Sequence, residues 1–103
     1  MAVVDNLEAL LARGQGSALL RYSLGNEYLK LRQFDKAAGH LRRAIAHDPR
    51  YSAAWKLLGR ALAEAGRKQE AIQAYEDGIK AAEEKGDKQA AKEMTVFLRR
   101  LLK

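Results

Sequence analysis

Shifted by 34 residues, the chain falls into register with itself, and this self-similarity restricts the fold more than any other feature. Leu24-Gly25 falls on Leu58-Gly59, Tyr28 on Leu62, Ala37 on Ala71, Leu41 on Tyr75, Ala44 on Gly78 and Ile45 on Ile79. Between these landmarks apolar residues recur at helical spacing, and strand alternation is absent. Each unit therefore reads as two helices joined by a short turn. The first pair runs from Ala18 to Leu31 and from Asp35 to His47, the second from Ser52 to Ala65 and from Gln69 to Glu84. Pro49 disfavours helix at Asp48 and ends the first unit, while Gly66 breaks the second pair at its turn. A helix pair of this length cannot bury its apolar face alone, so the two units must stack.

The repeated small residues carry a packing argument. Gly25 and Gly59 sit inside helices, where each costs about 1 kcal/mol against alanine. That cost is offset if the missing side chain lets a neighbouring helix approach closely. Ala37 and Ala71 are expected as the facing small positions. Leu24, Tyr28, Leu41, Leu58, Leu62 and Tyr75 are then expected to fill the space between layers.

Both ends of the chain add helices. Asp5 and Glu8 have the spacing of a capping box, followed by Leu7, Leu10 and Leu11 on one face. Gly14 suits a left-handed C-cap, and Ser17 the next N-cap. After Lys85-Gly86, Asp87 reads as an N-cap for a helix from Lys88 to Leu102. There Met94, Phe97, Leu98, Leu101 and Leu102 recur at helical spacing. This last helix fits the cap that a repeat array needs over its final exposed face. Arg99, Arg100 and Lys103 suggest a rival role in membrane-surface or partner contact, but cations near a helix C-terminus are favourable in any case.

The repeat resembles the tetratricopeptide repeat, whose signature is W-x2-L-G-x2-Y, then A-x3-F, then P. The second unit reads Trp55-x2-Leu58-Gly59-x2-Leu62, then Ala71-x3-Tyr75. The first reads Arg21-x2-Leu24-Gly25-x2-Tyr28, then Ala37-x3-Leu41, then Pro49. Arg21 replaces the tryptophan, and Glu83 occupies the proline position of the second unit, which lets its last helix run on. The resemblance covers residues 18–85. It implies an all-α, right-handed superhelical stack of antiparallel helix pairs that binds peptides or protein segments and is not enzymatic. Residues 1–103 then form one domain: an N-terminal helix and turn (1–16), repeat 1 (18–51), repeat 2 (52–85) and a capping helix (86–103).

Partner contacts in that family come mainly from the first helix of each pair. The resemblance therefore places Leu19, Tyr22, Asn26, Leu29 and Lys30, then Ala53, Lys56, Arg60, Ala63 and Glu64, on the inner face. Tyr22, Asn26, Lys30, Lys56, Arg60 and Glu64 are the candidate peptide-binding residues. Because Lys30, Lys56 and Arg60 outnumber Glu64, an acidic segment is the favoured ligand. Chaperone-binding members use a two-carboxylate clamp of lysine, two asparagines, lysine and arginine over three repeats. Asn26 matches its first asparagine, but Tyr22 stands in place of the first lysine and Leu57 in place of the second asparagine. The clamp reading is rejected on those residues.

Other chemistries find no support. There are no cysteines, hence no disulfide, thiolate metal site or cysteine nucleophile. His40 and His47 stand two turns apart without a third ligand, and Gly14-Gln15-Gly16-Ser17 lacks the context of a phosphate loop. No catalytic residue, metal or cofactor is proposed. The net charge of +6 divides evenly between the two halves of the chain, with the signs interleaved. A nucleic-acid binder would gather its cations, so the charge reads as a mixed solvated surface. No apolar run of 18 residues is present, and the opening Met1-Ala2-Val3-Val4-Asp5 lacks a signal's basic start. The expectation is a cytoplasmic protein–protein interaction module or adaptor without membrane contact. A self-assembling or complex-assembly subunit is the alternative reading, and homo-oligomerisation stays open.

Overall fold

Six helices follow one another in the computed structural model, which describes residues 2–103. They are α1 (Val3–Ala12), α2 (Ala18–Lys30), α3 (Phe34–His47), α4 (Ser52–Glu64), α5 (Lys68–Lys85) and α6 (Lys88–Leu102), with no strand among the described residues. From α2 onward each helix packs on its successor, and α1 lies on α2. α2 also touches α4, and α4 touches α6, so these three form one wall and α3 and α5 the other. The chain is an all-α stack of helix pairs, and α6 holds the place that the first helix of a further pair would take.

Local signals account for most helix ends. The Ser17 hydroxyl accepts from the Leu20 amide at 3.0 Å, and Asp87 Oδ1 accepts from the Ala90 amide at 3.1 Å. Gly66 takes a left-handed φ of +81°, and Arg32, one repeat earlier, adopts φ 60° at the same turn position. With Glu83 where proline would stop it, α5 extends to Lys85 and spans 18 residues against 14 for α3. The expected capping box of α1 does not form. α1 starts at Val3 with Ala2 as a cap that makes no side-chain bond, because Glu8 is engaged elsewhere. Tyr28 donates its hydroxyl to Glu8 Oε2 at 2.5 Å, which ties α1 to α2.

The mid-helix glycines answer to large residues, not to the small ones expected. A Cβ on Gly25 would lie 2.5 Å from Leu41 Cγ, and one on Gly59 would overlap the Tyr75 ring. Small-against-large packing is the repeated device, and Ala37 and Ala71 are separate, fully buried core positions. Gly78 repeats it at the next layer, where a Cβ would lie 2.6 Å from Met94 Sδ and 2.7 Å from Trp55 Cβ. Leu20, Leu24, Tyr28, Leu41, Leu58 and Leu62 build the main core. Tyr75, Ala82, Ala90 and Met94 form a second cluster under α6, with half-buried Trp55 touching both.

Candidate interaction cleft

A cleft of about 340 Å³ opens on the α2–α4–α6 side, lined by Tyr22, Lys56, Leu57, Arg60, Tyr75 and Phe97. Helix geometry explains the set. Lys56, Leu57 and Arg60 lie within about one turn and a half of α4. Tyr22 comes from α2 and Phe97 from α6, the helices on either side. Tyr75 belongs to the other wall and reaches the cleft because Gly59, above its ring, has no side chain. Its ring lies 5.9 Å from that of Phe97 at 37°, and burial pushes its hydroxyl pKa up to about 12. Tyr22 stacks on Tyr51 at 5.0 Å, which fixes its ring at the rim.

Three of the six candidate residues come together here: Tyr22, Lys56 and Arg60. Asn26 is half-buried on α2 and does not line the cleft, and Lys30 is exposed beyond it. Glu64 borders a different, open depression beside Arg32 and Lys36. Of the other inner-face expectations, Leu29 is corrected to a core position at 6% exposure, whereas Leu19 stands 66% exposed.

The charge count on this face also needs correction. Lys56 pairs with Glu93 of α6 at 3.0 Å, Arg60 with Glu64 at 3.8 Å and Lys30 with Glu27 at 3.1 Å. Each of the three cations has a carboxylate of its own chain, so there is no surplus positive charge here. Glu93 escapes the sequence reading because nothing in the pattern sets the last helix beside α4. Tyr75 and Phe97 escape it for a related reason. Both carry the periodicity of core residues, and Tyr75 is one at 3% exposure; nothing in that pattern tells that its ring and the half-buried Phe97 also border a cleft. Leu57, notable in the sequence only for the asparagine it replaces, lines the cleft together with Tyr22.

On the opposite side, Arg21, the residue in the tryptophan position, joins a polar cluster. It donates through Nη1 to His40 Nδ1 at 3.2 Å, and His40 stacks on Tyr28 at 5.4 Å. Burial holds the His40 pKa below its ordinary value; nearby Glu8 acts against this, and Arg21, Arg43 and Lys36 act with it. Among the described residues no group of three His, Asp or Glu side chains converges as a metal site.

A tetratricopeptide repeat model matches residues 22–85, across both helix pairs. A TPR repeat-containing protein of Pseudomonas aeruginosa, PA0015, is 52% identical over 99 residues, covering 96% of this chain and 94% of that protein. The solution structure of BPP2914 from Bordetella parapertussis aligns with a TM-score of 0.87 at 49% identity, covering 99% of this chain and 89% of that one. The second TPR domain of human RPAP3, solved with the HSP70 peptide SGPTIEEVD, aligns at 0.79 and 29% identity, covering 97% of this chain and 78% of that one. With the paired helices, the glycine contacts and these likenesses in place, the chain belongs to the tetratricopeptide repeat family.

Proposed function

We propose that the protein is an interaction module that holds a peptide or protein segment in the Tyr22–Phe97 cleft by an apolar anchor side chain. The observation that carries this reading is the replacement at two positions. Tyr22 and Leu57 stand where a carboxylate clamp would have lysine and asparagine, and both line the cleft with Tyr75 and Phe97. A cleft so lined favours an aromatic or branched aliphatic side chain over a pair of carboxylates. Arg60, 61% exposed and only loosely paired with Glu64, is free to exchange that partner for a backbone carbonyl or a terminal carboxylate of the ligand. An acidic flank adds to the fit only by competing with Glu64 and Glu93. The contact area is small, so affinity of about micromolar order is expected. Such a module serves as an adaptor, working by occupancy and not by chemistry.

The test is selection of a random peptide library displayed on phage against the purified chain. Binding of the enriched peptides is then compared for wild type, Phe97→Ala, and Lys56→Glu with Arg60→Glu. Enrichment of an aromatic or leucine anchor, lost with Phe97→Ala and weakened by the double reversal, is expected. The peptide SGPTIEEVD should not bind. Peptides that bind all three proteins alike would place recognition on another surface and end this reading.

A further inference from the structure

The +6 net charge is even between the halves of the chain but not between its helices. α6 and its terminal residue carry Lys88, Lys92, Arg99, Arg100 and Lys103 against Glu93 alone, and Glu93 is taken by Lys56 at 3.0 Å. At 100° per residue, Lys88, Lys92, Arg99 and Lys103 fall within about 60° of the helix circumference. They form a line of about 22 Å at 1.5 Å per residue. This line lies opposite the face through which Met94, Ala90 and Leu101 pack on the repeats. All four cations are exposed, and none meets a carboxylate among the described residues. Val96 at 44% exposure and Leu102 at 61% flank the line.

We propose that this outer face of α6 is a docking surface for an anionic phospholipid bilayer. Among the described residues α6 packs only on α5 and α4, and none of them covers this outer face. A straight row of cations meets a plane of headgroup charge along its whole length, and Val96 and Leu102 can enter the headgroup layer between them. The contact is peripheral, since no helix among the described residues is long and apolar enough to cross a membrane. A nucleic acid is the weaker fit. The exposed side chains beside the row include the apolar Val96 and Leu102, which suit a headgroup layer and not a sugar–phosphate backbone. Because the row faces away from α5, a bound bilayer leaves the Tyr22–Phe97 cleft free, and the two surfaces can bridge a membrane and a protein segment.

Each lysine or arginine held near an anionic leaflet raises partitioning about fivefold. The experiment is co-sedimentation of the full chain with vesicles of phosphatidylcholine alone, and with vesicles containing about one phosphatidylglycerol in three lipids. Binding is expected only to the anionic vesicles. It should fall as salt rises from about 0.1 M to about 1 M, where the screening length shrinks from about 10 Å to 3 Å. The variant Lys92→Gln, Arg99→Gln, Lys103→Gln should lose roughly 100-fold in partitioning. Lys88→Gln with Lys92→Gln, which touches only the start of α6 and spares its C-terminal dipole, should lose about 25-fold with unchanged melting. The charge-matched control Arg13→Gln, Lys36→Gln, Arg43→Gln should bind much as wild type does. Equal losses in the control and the α6 triple variant would reduce the effect to bulk charge and overturn the proposal. Tighter binding to a DNA duplex than to the anionic vesicles at equal salt would also overturn it, as would no vesicle binding at all.

Discussion

The hydroxyl of Tyr28 donates to Glu8 Oε2 at 2.5 Å, and this bond fastens α1 to the first repeat. α1 has no fully buried residue, and its remaining hold is the half-buried row of Val4, Leu7, Leu10 and Leu11. Tyr28 carries the repeat's tyrosine position, so one core ring also reaches outward to an added helix. Acceptance of the bond by a carboxylate, with burial, raises the Tyr28 pKa to about 12.

Removing that donor should loosen α1 selectively. Tyr28→Phe is expected to cost about 1 kcal/mol, the usual worth of such a bond at a partly exposed acceptor. Amide exchange should quicken in α1 while α4 and α5 keep their protection. Unchanged exchange in α1 would mean that its leucines hold it unaided.

The His40 site predicts acid sensitivity. The folded-state pKa lies below the ordinary 6.5, so the native protein binds fewer protons than the unfolded chain as pH drops. The stability His40 contributes is complete above about pH 6.5 and is lost as pH falls through its lower folded value. Protonation also ends the Arg21 hydrogen bond to Nδ1, leaving two cations face to face. Melting should therefore drop as pH falls below about 6.5, and by less in His40→Gln. A variant that loses as much as wild type would assign the acid response to other groups.

Packing beneath Gly59 should be intolerant of volume. Gly59→Leu drives atoms into the Tyr75 ring and is expected to destabilise by about 1–3 kcal/mol or more. Lys80→Leu, on the exposed surface of α5, should change stability by no more than about 0.5 kcal/mol. Thermal melts of the two proteins check the contrast, and equal melting would refute the close α4–α5 contact.

Deleting residues 88–103 strips Met94 from Gly78 and uncovers Tyr75 and Ala82. Dye binding, aggregation or loss of the cooperative transition should follow. A truncated chain that melts as before would show that α6 is an appendage to a self-sufficient pair of repeats.

Much of this fold is legible in the order of residues because its information is local. The 34-residue shift, the glycine at the second turn, and the caps at Ser17 and Asp87 act within one turn of helix or one repeat. Periodicity marks which face of each helix is apolar, and the observed helix starts and ends lie within two residues of those read from it. The two misreadings, the capping box of α1 and the alanines set against the glycines, have one cause. Each choice depended on a contact between helices: Glu8 with Tyr28, Gly25 with Leu41 and Gly59 with Tyr75.

The cleft lies on the other side of that divide. Tyr22, Lys56 and Arg60 could be placed from the first helix of each repeat, since a helix face repeats every 3.6 residues. Their neighbours Tyr75 and Phe97 and the acid Glu93 arrive from helices distant in the chain, and no periodicity says which edge of a buried ring stays open. Charge divides the same way. Composition supplies a net +6, but the pairing of Lys56 with Glu93 and the unpaired row along α6 follow from which helices lie side by side. Sequence alone thus determined the helices, the repeat and the family. Packing between helices chose the partner of each charge and the rings that face solvent, because side-chain contacts over such distances exist only once the backbone has brought the helices together.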